Sequence, residues 1–416
     1  MKSATVRSRT MDIKLSSKRS NSAKKSTRER LTGGVLALWT EAPSSEISTR
    51  ALARMADTAV SAIDYHFGGL DHLYAEAQAR ALSEAGDWME ARIVQLAALE
   101  EARLDASGVA SIVAATIDDW TEGMRPLAMA WREACSSARN GTNLASHTAW
   151  MLLWKHYWDR VSALVGMPQH ADLLAAFHGG EATQHLLRWK RALDRALLDE
   201  TVRALINHLH HVPRGPSPVR KAYQILAERD YACAAEADWG SSALLDVAAA
   251  EILRDAGVSA LTFRGVADRA GTTLGNASYH FGSKSKMLKR AFETLYRMSS
   301  GSQNGFRLAD DDALREALLD GVSAGNQSIL RAFDEIILHI SRSRDNAALR
   351  GVIRGYRDPA AGWALERLLH EDEPISSSLC SAFSSICRGL DHLSIATGTE
   401  GSRKIAQAVL DQFLHR

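Results

Sequence analysis

Apolar residues along the chain recur at the three- and four-residue spacing of a helix. Over residues 191–211, for example, Leu193, Leu197 and Leu205 fall on one side of a helix. Alanine and leucine are plentiful, and alternating runs of β-branched residues are nearly absent. The pattern predicts an all-α protein.

The prolines divide the chain near its middle. Pro213, Pro216 and Pro218 fall within six residues. Because proline fixes φ and has no N–H group, this cluster ends a helix. The length of 416 residues is also long for one domain. We therefore place a linker at residues 213–243.

An internal repeat relates the two halves. The run Tyr65-His66-Phe67-Gly68 recurs as Tyr279-His280-Phe281-Gly282, and the offset of 214 aligns 31–77 with 245–291 without gaps. Near the ends of the halves an offset of 207 aligns His185 with His392. The halves look like diverged copies of one helical unit with a head and a body. The predicted order is a basic disordered tail (1–30), a first head (31–80), a first body (81–212), the linker (213–243), a second head (244–294) and a second body (295–416).

The second head contains the pattern of a helix-turn-helix. A first helix over 244–255 precedes two short helices over 263–270 and 274–281, which are joined at Gly271. Thr262 is a good N-cap for the first of these short helices. Glycine adopts the positive φ of a tight turn without strain, so two short helices separated by it predict a helix-turn-helix.

One side of the third helix carries small and polar residues that suit close approach to DNA bases. These residues are Thr273, Gly275 and Asn276. Asparagine can pair bidentately with adenine in the major groove. Lys284 stands at the start of the following helix, where its ammonium group and the backbone N–H groups can face a phosphate.

The stretch LTFRGVADRAGTTLGNASYHFGSKSKML resembles the DNA-binding head of the TetR family of bacterial transcriptional regulators. The resemblance rests on Thr262, Ala267, Ala270, Gly271, Tyr279, His280, Phe281, Gly282, Ser283, Lys284 and Met287. It implies a three-helix head and a larger helical body, which binds a small-molecule effector and dimerises through its last two helices.

We place the DNA contacts on both heads, following the resemblance. In the second head they are Thr262, Arg264, Thr273, Leu274, Gly275, Asn276, Tyr279, His280 and Lys284. In the first head they are Ser48, Arg50, Val60, Ser61, Tyr65 and His66.

The first head departs from the family pattern at four positions. Asp57 replaces the turn glycine, and Ala59 replaces a hydroxyl cap. Leu70 stands where the phosphate-facing lysine is expected, and Asp64 adds a negative charge. Aspartate tolerates the left-handed conformation better than most residues, so the turn is expected to persist. Either the basic tail compensates for the weakened phosphate affinity, or this head is a scaffold with little affinity for DNA.

The net charge of +1 hides an asymmetry. Residues 1–30 carry ten Lys and Arg against Asp12 and Glu29, which gives +8, and the remaining 40 basic and 47 acidic residues give −7. A basic tail on a mildly acidic body is a recurrent feature of nucleic-acid-binding proteins. The alternative is a solvated tail that only aids solubility.

The first body is rich in tryptophan. Trp150, Trp154 and Trp158 follow one another at four-residue intervals, which places them on one stripe of a helix. The stripe is either buried packing or the wall of an effector pocket with a histidine as polar handle. The candidate pocket residues are Trp120, Trp131, His147, Trp150 and Trp154.

The sequence offers no catalytic or metal-binding constellation. Residues 321–325 fit the G-x-S-x-G motif, but the segment before them is helical and cannot form a nucleophile elbow. We therefore expect no enzymatic activity, no cofactor and no metal site. The scattered cysteines, together with the absence of a long apolar run and of a secretory signal, predict a cytoplasmic protein without a membrane span.

These features together predict a transcriptional repressor. Its partners are a double-stranded DNA operator and a small-molecule effector that releases it. One chain is expected to act as a pseudo-dimer, and a higher oligomer is compatible with the sequence. The alternative is an effector-binding or structural helical protein in which DNA binding by one or both heads has degenerated.

Overall fold

The computed structural model describes residues 26–99, 103–213, 215–234, 243–301, 310–323, 328–343, 347–355, 359–369 and 375–414. Within these ranges the regular elements are all helical, which confirms the predicted all-α class. Residues 1–25 of the predicted tail lie outside the described residues.

The first half folds into helices joined by short turns. They are α1 (Thr27–Leu38), α2 (Thr49–Met55), α3 (Ser61–Phe67), α4 (Leu70–Ala97), α5 (Ala106–Asp118), α6 (Arg125–Arg139), α7 (Leu144–Leu164), α8 (Ala171–His185) and α9 (Arg191–Leu209).

The second half continues in the same way, with two of its helices interrupted by glycine. The helices are α10 (Pro218–Ala234), α11 (Ala243–Ala260), α12 (Phe263–Arg269), α13 (Leu274–Phe281), α14 (Lys284–Gly301), α15 (Asp311–Ser323), α16 (Ser328–Arg342), α17 (Ala347–Gly355), α18 (Pro359–Leu368) and α19 (Ser377–Leu414). Gly257 breaks α11 and Gly398 breaks α19, with φ values of 78° and 70°.

The predicted tail extends too far into the chain. Ser26 caps α1, and Ser26 and Glu29 form a reciprocal capping box. The Arg28 Nε atom donates a hydrogen bond of 2.6 Å to Glu76 in α4. Residues 26–30 therefore belong to the first head, and the Ser-x-x-Glu signature is the signal that would have placed the helix start.

The predicted linker contains a buried helix. In α10, Arg220 and Tyr223 are almost fully buried. The Tyr223 hydroxyl donates to Asp194 in α9 at 2.7 Å, and the Gln224 side chain donates to the Gly355 carbonyl in α17 at 2.7 Å. The segment predicted as the linker, much of which the sequence predicts to be helical, therefore contains a helix that packs against α9 of the first half and α17 of the second.

The apolar core is shared between the halves. One cluster contains residues of the helices from α4 through α9 together with Phe383 and Phe413 of α19. A second cluster, around the second head and α16, includes Leu187 and Leu197 from the first half. Neither half thus encloses a core of its own residues alone.

The two halves approach each other closely where α8 and α19 cross. A Cβ atom added to Gly180 would overlap the backbone carbonyl of Ser385, and one added to Gly389 would overlap the carbonyl of Ala176. From the contact of Ala176 with Gly389 to that of Gly180 with Ser385, the chain advances four residues along α8 and goes back four residues along α19. The two helices are therefore antiparallel where they cross. Only glycine allows the two backbones to pack this closely.

Two buried histidines flank this crossing with matching partners. His185 Nε2 lies 3.0 Å from Asp118 of its own half, and its Nδ1 faces Arg354 of the other half. His392 Nε2 contacts Asp334 of its own half, and its Nδ1 lies 3.1 Å from Arg132 of the other half.

Both histidines are neutral at ordinary pH. Burial lowers the pKa of His185 to about 3 and that of His392 to about 3. A neutral ring can donate from Nε2 to the aspartate and accept at Nδ1 from the arginine. Each histidine therefore links an acid of one half to a base of the other.

The crossing predicts a sharp difference between two glycines of α19. Gly389→Ala is expected to lower the free energy of unfolding by about 1–3 kcal/mol, because the methyl group must force two backbones apart. Gly401→Ala is the matched control, because its new methyl group meets Thr397 at an ordinary 3.4 Å. Urea unfolding measures both, and equal losses would contradict the tight crossing.

Candidate nucleic-acid interface

The second head has the helix-turn-helix geometry that its sequence predicts. The Thr262 hydroxyl accepts a hydrogen bond from the Gly265 N–H at 3.0 Å and so caps α12. The Thr273 hydroxyl caps α13 by accepting from the Asn276 N–H at 3.2 Å. Gly271 lies between the two helices with φ 64°. The bounds predicted for the third helix agree with α13, and α12 ends one residue earlier than predicted.

One face of α13 is fixed in the core of the head. Ala277 and Phe281 are buried in the apolar cluster that also contains Val266 of α12 and Met287 of α14. These contacts prevent the helix from rotating about its own axis, so its opposite face has a defined orientation.

The opposite face of α13 is exposed. Tyr279 is 83% exposed and Leu274 is 45% exposed, and Thr273, Gly275 and Asn276 are also exposed. The Asn276 side-chain amide donates to the Thr272 hydroxyl at 2.9 Å, and its carbonyl oxygen remains available. This face has the size and polarity that base edges and phosphates require.

His280 was predicted as a DNA contact, but its side chain points inward and is only 4% exposed. Its Nε2 atom lies 2.9 Å from the Asp246 carboxylate and 2.8 Å from the Arg290 guanidinium group. His280 therefore attaches the end of α13 to α11 and α14, and it positions the exposed face without presenting its ring to a ligand.

Two cations extend the exposed surface. Arg264 on α12 and Lys284 at the first position of α14 are both exposed. The Ser283 hydroxyl accepts from the Lys286 N–H at 3.2 Å and so caps α14. Positive charge and a helix N-terminus thus coincide at Lys284, which suits a phosphate.

The first head repeats this arrangement. The Ser48 hydroxyl caps α2 by accepting from the Ala51 N–H at 3.1 Å. Asp57 occupies the position of Gly271 and has φ 49°, which confirms that aspartate adopts the left-handed turn. No side-chain hydrogen bond caps α3, as the replacement of a hydroxyl by Ala59 leads one to expect.

The exposed face of α3 differs from that of α13 in charge. Tyr65 is 85% exposed and Val60 is 42% exposed, and Ser61 and Asp64 are exposed beside them. Arg50 on α2 is exposed as well. A negative charge therefore lies within the surface that corresponds to the polar face of α13.

His66 and Leu70 complete the comparison of the heads. The His66 ring is half-buried and stands edge-on to Tyr65, and its backbone carbonyl accepts from Arg28 at 3.1 Å. Leu70 is half-buried against the core at the start of α4. The first head therefore places an apolar side chain where the second head exposes Lys284.

The predicted effector-pocket residues form a tightly packed core. Trp120, Trp131, Trp150 and Trp154 are at most 1% exposed, and the rings of Trp120 and Trp154 lie with centroids 4.9 Å apart. His147 Nε2 lies 2.9 Å from the His392 carbonyl, and burial lowers its pKa to about 4. The structure therefore agrees with the packing interpretation of the tryptophan stripe.

Sequence reasoning missed two residues of this core. Gln78 in α4 accepts from the Trp150 indole N–H at 3.0 Å. His178 in α8 stacks on Trp131 and packs at a tilt against Trp154, with the ring centroids of His178 and Trp154 3.9 Å apart. Gln78 lies seven residues from Asp71 and from Ala85. Helical periodicity therefore places these three residues on one side of α4, but it does not show that Gln78 contacts Trp150.

The turn in the second head predicts an order of stability for two variants of Gly271. Gly271→Ala is expected to lower the free energy of unfolding by about 1–2 kcal/mol, because an L-residue there is strained. Apart from Gly271 itself and its two chain neighbours, no described residue has an atom within 4 Å of the added Cβ, so steric overlap does not contribute. Gly271→Asp, which copies Asp57, is expected to lose less. Urea unfolding of both variants tests the order, and equal losses would contradict the backbone explanation.

Comparison with known proteins gives one match, which lies in the second head. Residues 245–291 match the family described as bacterial regulatory proteins, tetR family. No curated protein matches the chain. In the described part of the chain, no helix combines the length and apolar character that a membrane crossing requires. The match covers α12, α13 and parts of α11 and α14, and it supports a DNA-binding transcriptional regulator of the tetR family.

Proposed function

We propose that this protein binds an operator in double-stranded DNA as a single-chain pseudo-dimer, with the second head supplying most of the sequence specificity. The observation that carries the proposal is the exposed face of α13 within the matched head. It offers Thr273, Asn276 and Tyr279 to DNA while Phe281 fixes the helix from behind.

The tandem arrangement is supported by the first head. Its helices α2 and α3 follow each other in the chain as α12 and α13 do. A hydroxyl side chain caps the first helix of each pair. The turn between the helices contains a residue with positive φ at the equivalent position in both heads. The tetR match covers the second head, so the assignment of the first head as a second copy rests on this geometry and on the repeated sequence.

The pseudo-dimer is supported by the crossing of α8 and α19. The contacts of Ala176 with Gly389 and of Gly180 with Ser385 are centred on residues 178 and 387. These centres differ by 209 positions, close to the offset of 207 that equates the ends of the two halves. A two-fold interface brings equivalent residues together in this way.

The histidine clusters support the same conclusion. In a two-fold interface, each contact from the first unit to the second has a reciprocal contact. His185 lies between Asp118 of its own half and Arg354 of the other half, and His392 lies between Asp334 of its own half and Arg132 of the other half. The histidines correspond at the offset of 207, whereas the aspartates differ by 216 positions and the arginines by 222, so the clusters match in composition and only the histidines match in sequence position. We infer that these contacts descend from the subunit interface of a two-chain regulator.

Fusion of the two units has a functional consequence. It raises the effective concentration of one head near the other without a dimerisation equilibrium. It also lets the heads diverge, so the operator need not be palindromic. We further propose that the protein is a cytoplasmic, non-enzymatic repressor that a small-molecule effector releases from DNA.

A second candidate function is a helical protein whose first head has lost DNA binding. Asp64 on the exposed face of α3 and Leu70 in place of an exposed lysine favour it for that head alone. The two candidates differ in how many half-sites the chain contacts, which the following substitutions measure.

Matched substitutions on the two recognition helices test the unequal roles of the heads. Asn276→Ala is expected to cost about 1–3 kcal/mol of binding free energy, or about 5- to 150-fold in Kd, because a bidentate base contact is lost. Val60→Ala is expected to cost far less, because it removes only an apolar contact. Fluorescence anisotropy with a duplex selected from random DNA gives both values.

The result can contradict the proposal in two ways. Equal losses from Asn276→Ala and Val60→Ala, or a palindromic selected duplex, would mean that the heads read DNA equivalently. The absence of a sequence-specific complex at low salt would remove the DNA-binding function itself.

Deletion of residues 1–25 tests the contribution of the basic tail. The deletion ends before Ser26, so the capping box of α1 is retained. Because the tail is rich in lysine and arginine, it is expected to neutralise phosphates, and its loss should weaken binding to all sequences alike. The slope of log Kd against log salt should also become shallower. A change in the preferred sequence would contradict this role.

A further inference from the structure

A polar cleft of about 440 Å³ lies between the two heads. Its walls come from the loop after α1, from α6, from the break in α11, from the start of α14 and from α16. Lys284 of the second head and Glu46 of the first head both line it. The cleft therefore contacts both halves of the molecule, and it is distinct from the exposed face of α13.

The cleft narrows towards a small void of about 20 Å³ between α6 and α16. Ser136, Asn140, Arg331, Glu335 and Leu338 line both spaces, so the void continues the cleft inward. The void ends at a set of buried charged side chains. Those among its lining residues are Arg132, Arg139 and Asp334.

Positive charge exceeds negative charge in this buried set. Arg132, Arg139 and Arg388 are three guanidinium groups, and their carboxylate neighbours are Asp334 and Asp391. The side chain of Arg139 is 8% exposed and that of Arg388 is 1% exposed. Arg132 is 3% exposed as a whole residue. The neighbouring His392 is neutral. The charges of the set therefore sum to +1, and the rings of Trp131 and Phe333, which lie 3.8 Å from Arg132 and 4.8 Å from Arg388, offset this buried charge only in part.

Hydrogen-bond donors are also in excess. Six guanidinium nitrogens have no hydrogen-bond partner within the described part of the chain: Nε and Nη2 of Arg132, Nε and Nη1 of Arg139, and Nε and Nη1 of Arg388. One oxygen each of Asp334 and Asp391 is likewise unpaired, so two acceptors face six donor nitrogens. The Cys135 thiol lies against Arg139, but sulfur is a weak acceptor. Water could satisfy donors, but it cannot balance the charge.

The cluster around His185, on the other side of the α8–α19 crossing, has no surplus of positive charge, although three guanidinium nitrogens of Arg354 and Arg220 lack a hydrogen-bond partner among the described residues there as well. There the buried Arg354 and Arg220 lie among the carboxylates of Asp194, Glu181 and Glu200.

We propose that this cleft binds a small organic acid whose carboxylate enters the narrow end and is held by Arg132 and Arg139. A carboxylate supplies one negative charge and up to four lone pairs, and its planar shape matches guanidinium N–H groups in pairs. The wider part of the cleft accommodates the remainder of the molecule. Burial also raises the pKa of Asp391 to about 6, which increases the local need for an anion in mildly acid solution.

The test uses the full chain without DNA and two probes, acetate and benzoate. At constant ionic strength, either salt is expected to raise Tm by about 2 °C or more in a saturable manner, because a ligand that binds only the folded state stabilises it. Acetamide and benzamide, which match the probes in shape but carry no charge, should have no such effect. If acetate and benzoate act no differently from sodium chloride, the proposal is wrong.

Two variants and one control locate the site. Ser136→Leu fills the narrow end and should abolish the carboxylate-dependent rise in Tm. Ser137→Leu adds the same side chain at the next residue of α6, which lines neither space, and should retain the rise. Loss of the rise in both variants, or retention in both, would overturn the proposed location.

A third variant keeps the test decisive if Ser136→Leu does not fold. Asn140 is exposed at the end of α6 and lines the entrance, so Asn140→Glu places a negative charge there without burying it. Binding of benzoate by calorimetry should weaken about tenfold because like charges repel. Unchanged affinity would contradict the site. Because these measurements contain no DNA, a negative result for carboxylate binding would not bear on the DNA-binding proposal. A negative result for DNA binding would likewise not bear on the proposed carboxylate site.

Discussion

The close crossing of α8 and α19 is the constraint on which the rest of the structure depends. Gly180 and Gly389 allow the backbones of the two halves to touch, and any larger side chain at either position would separate them. This approach places His185 and His392 where each can link an acid of one half to an arginine of the other. The bodies therefore pack as one unit, and the body fixes where the heads are held.

The same closeness explains the unusual chemistry next to the cleft. Buried arginines of α6 and α17 contact the two histidines, and Arg388 of α19 lies beside Asp334. The charge of these arginines must be balanced within the protein or by a ligand. On one side acids of α8 and α9 supply the balance. On the other side the cleft between the heads reaches Arg132 and Arg139, and a bound anion is proposed to supply it.

The heads could be predicted from the sequence because their signals are local. Thr262, Gly271 and Thr273 specify caps and a turn within a few residues, and the observed α13 has the predicted bounds. The errors arose where the answer depends on distant contacts. The inward turn of His280 requires Asp246 and Arg290, and the burial of α10 requires Asp194 and Gly355, none of which periodicity can assign.

The central claim is that one chain does the work of two subunits. The most direct measurement is the mass of the complex between the protein and its selected duplex, by native mass spectrometry or sedimentation at low salt. The account predicts one chain per duplex, with a footprint that spans two successive major grooves on one face of the DNA. A complex that forms only with two chains on the duplex would contradict it.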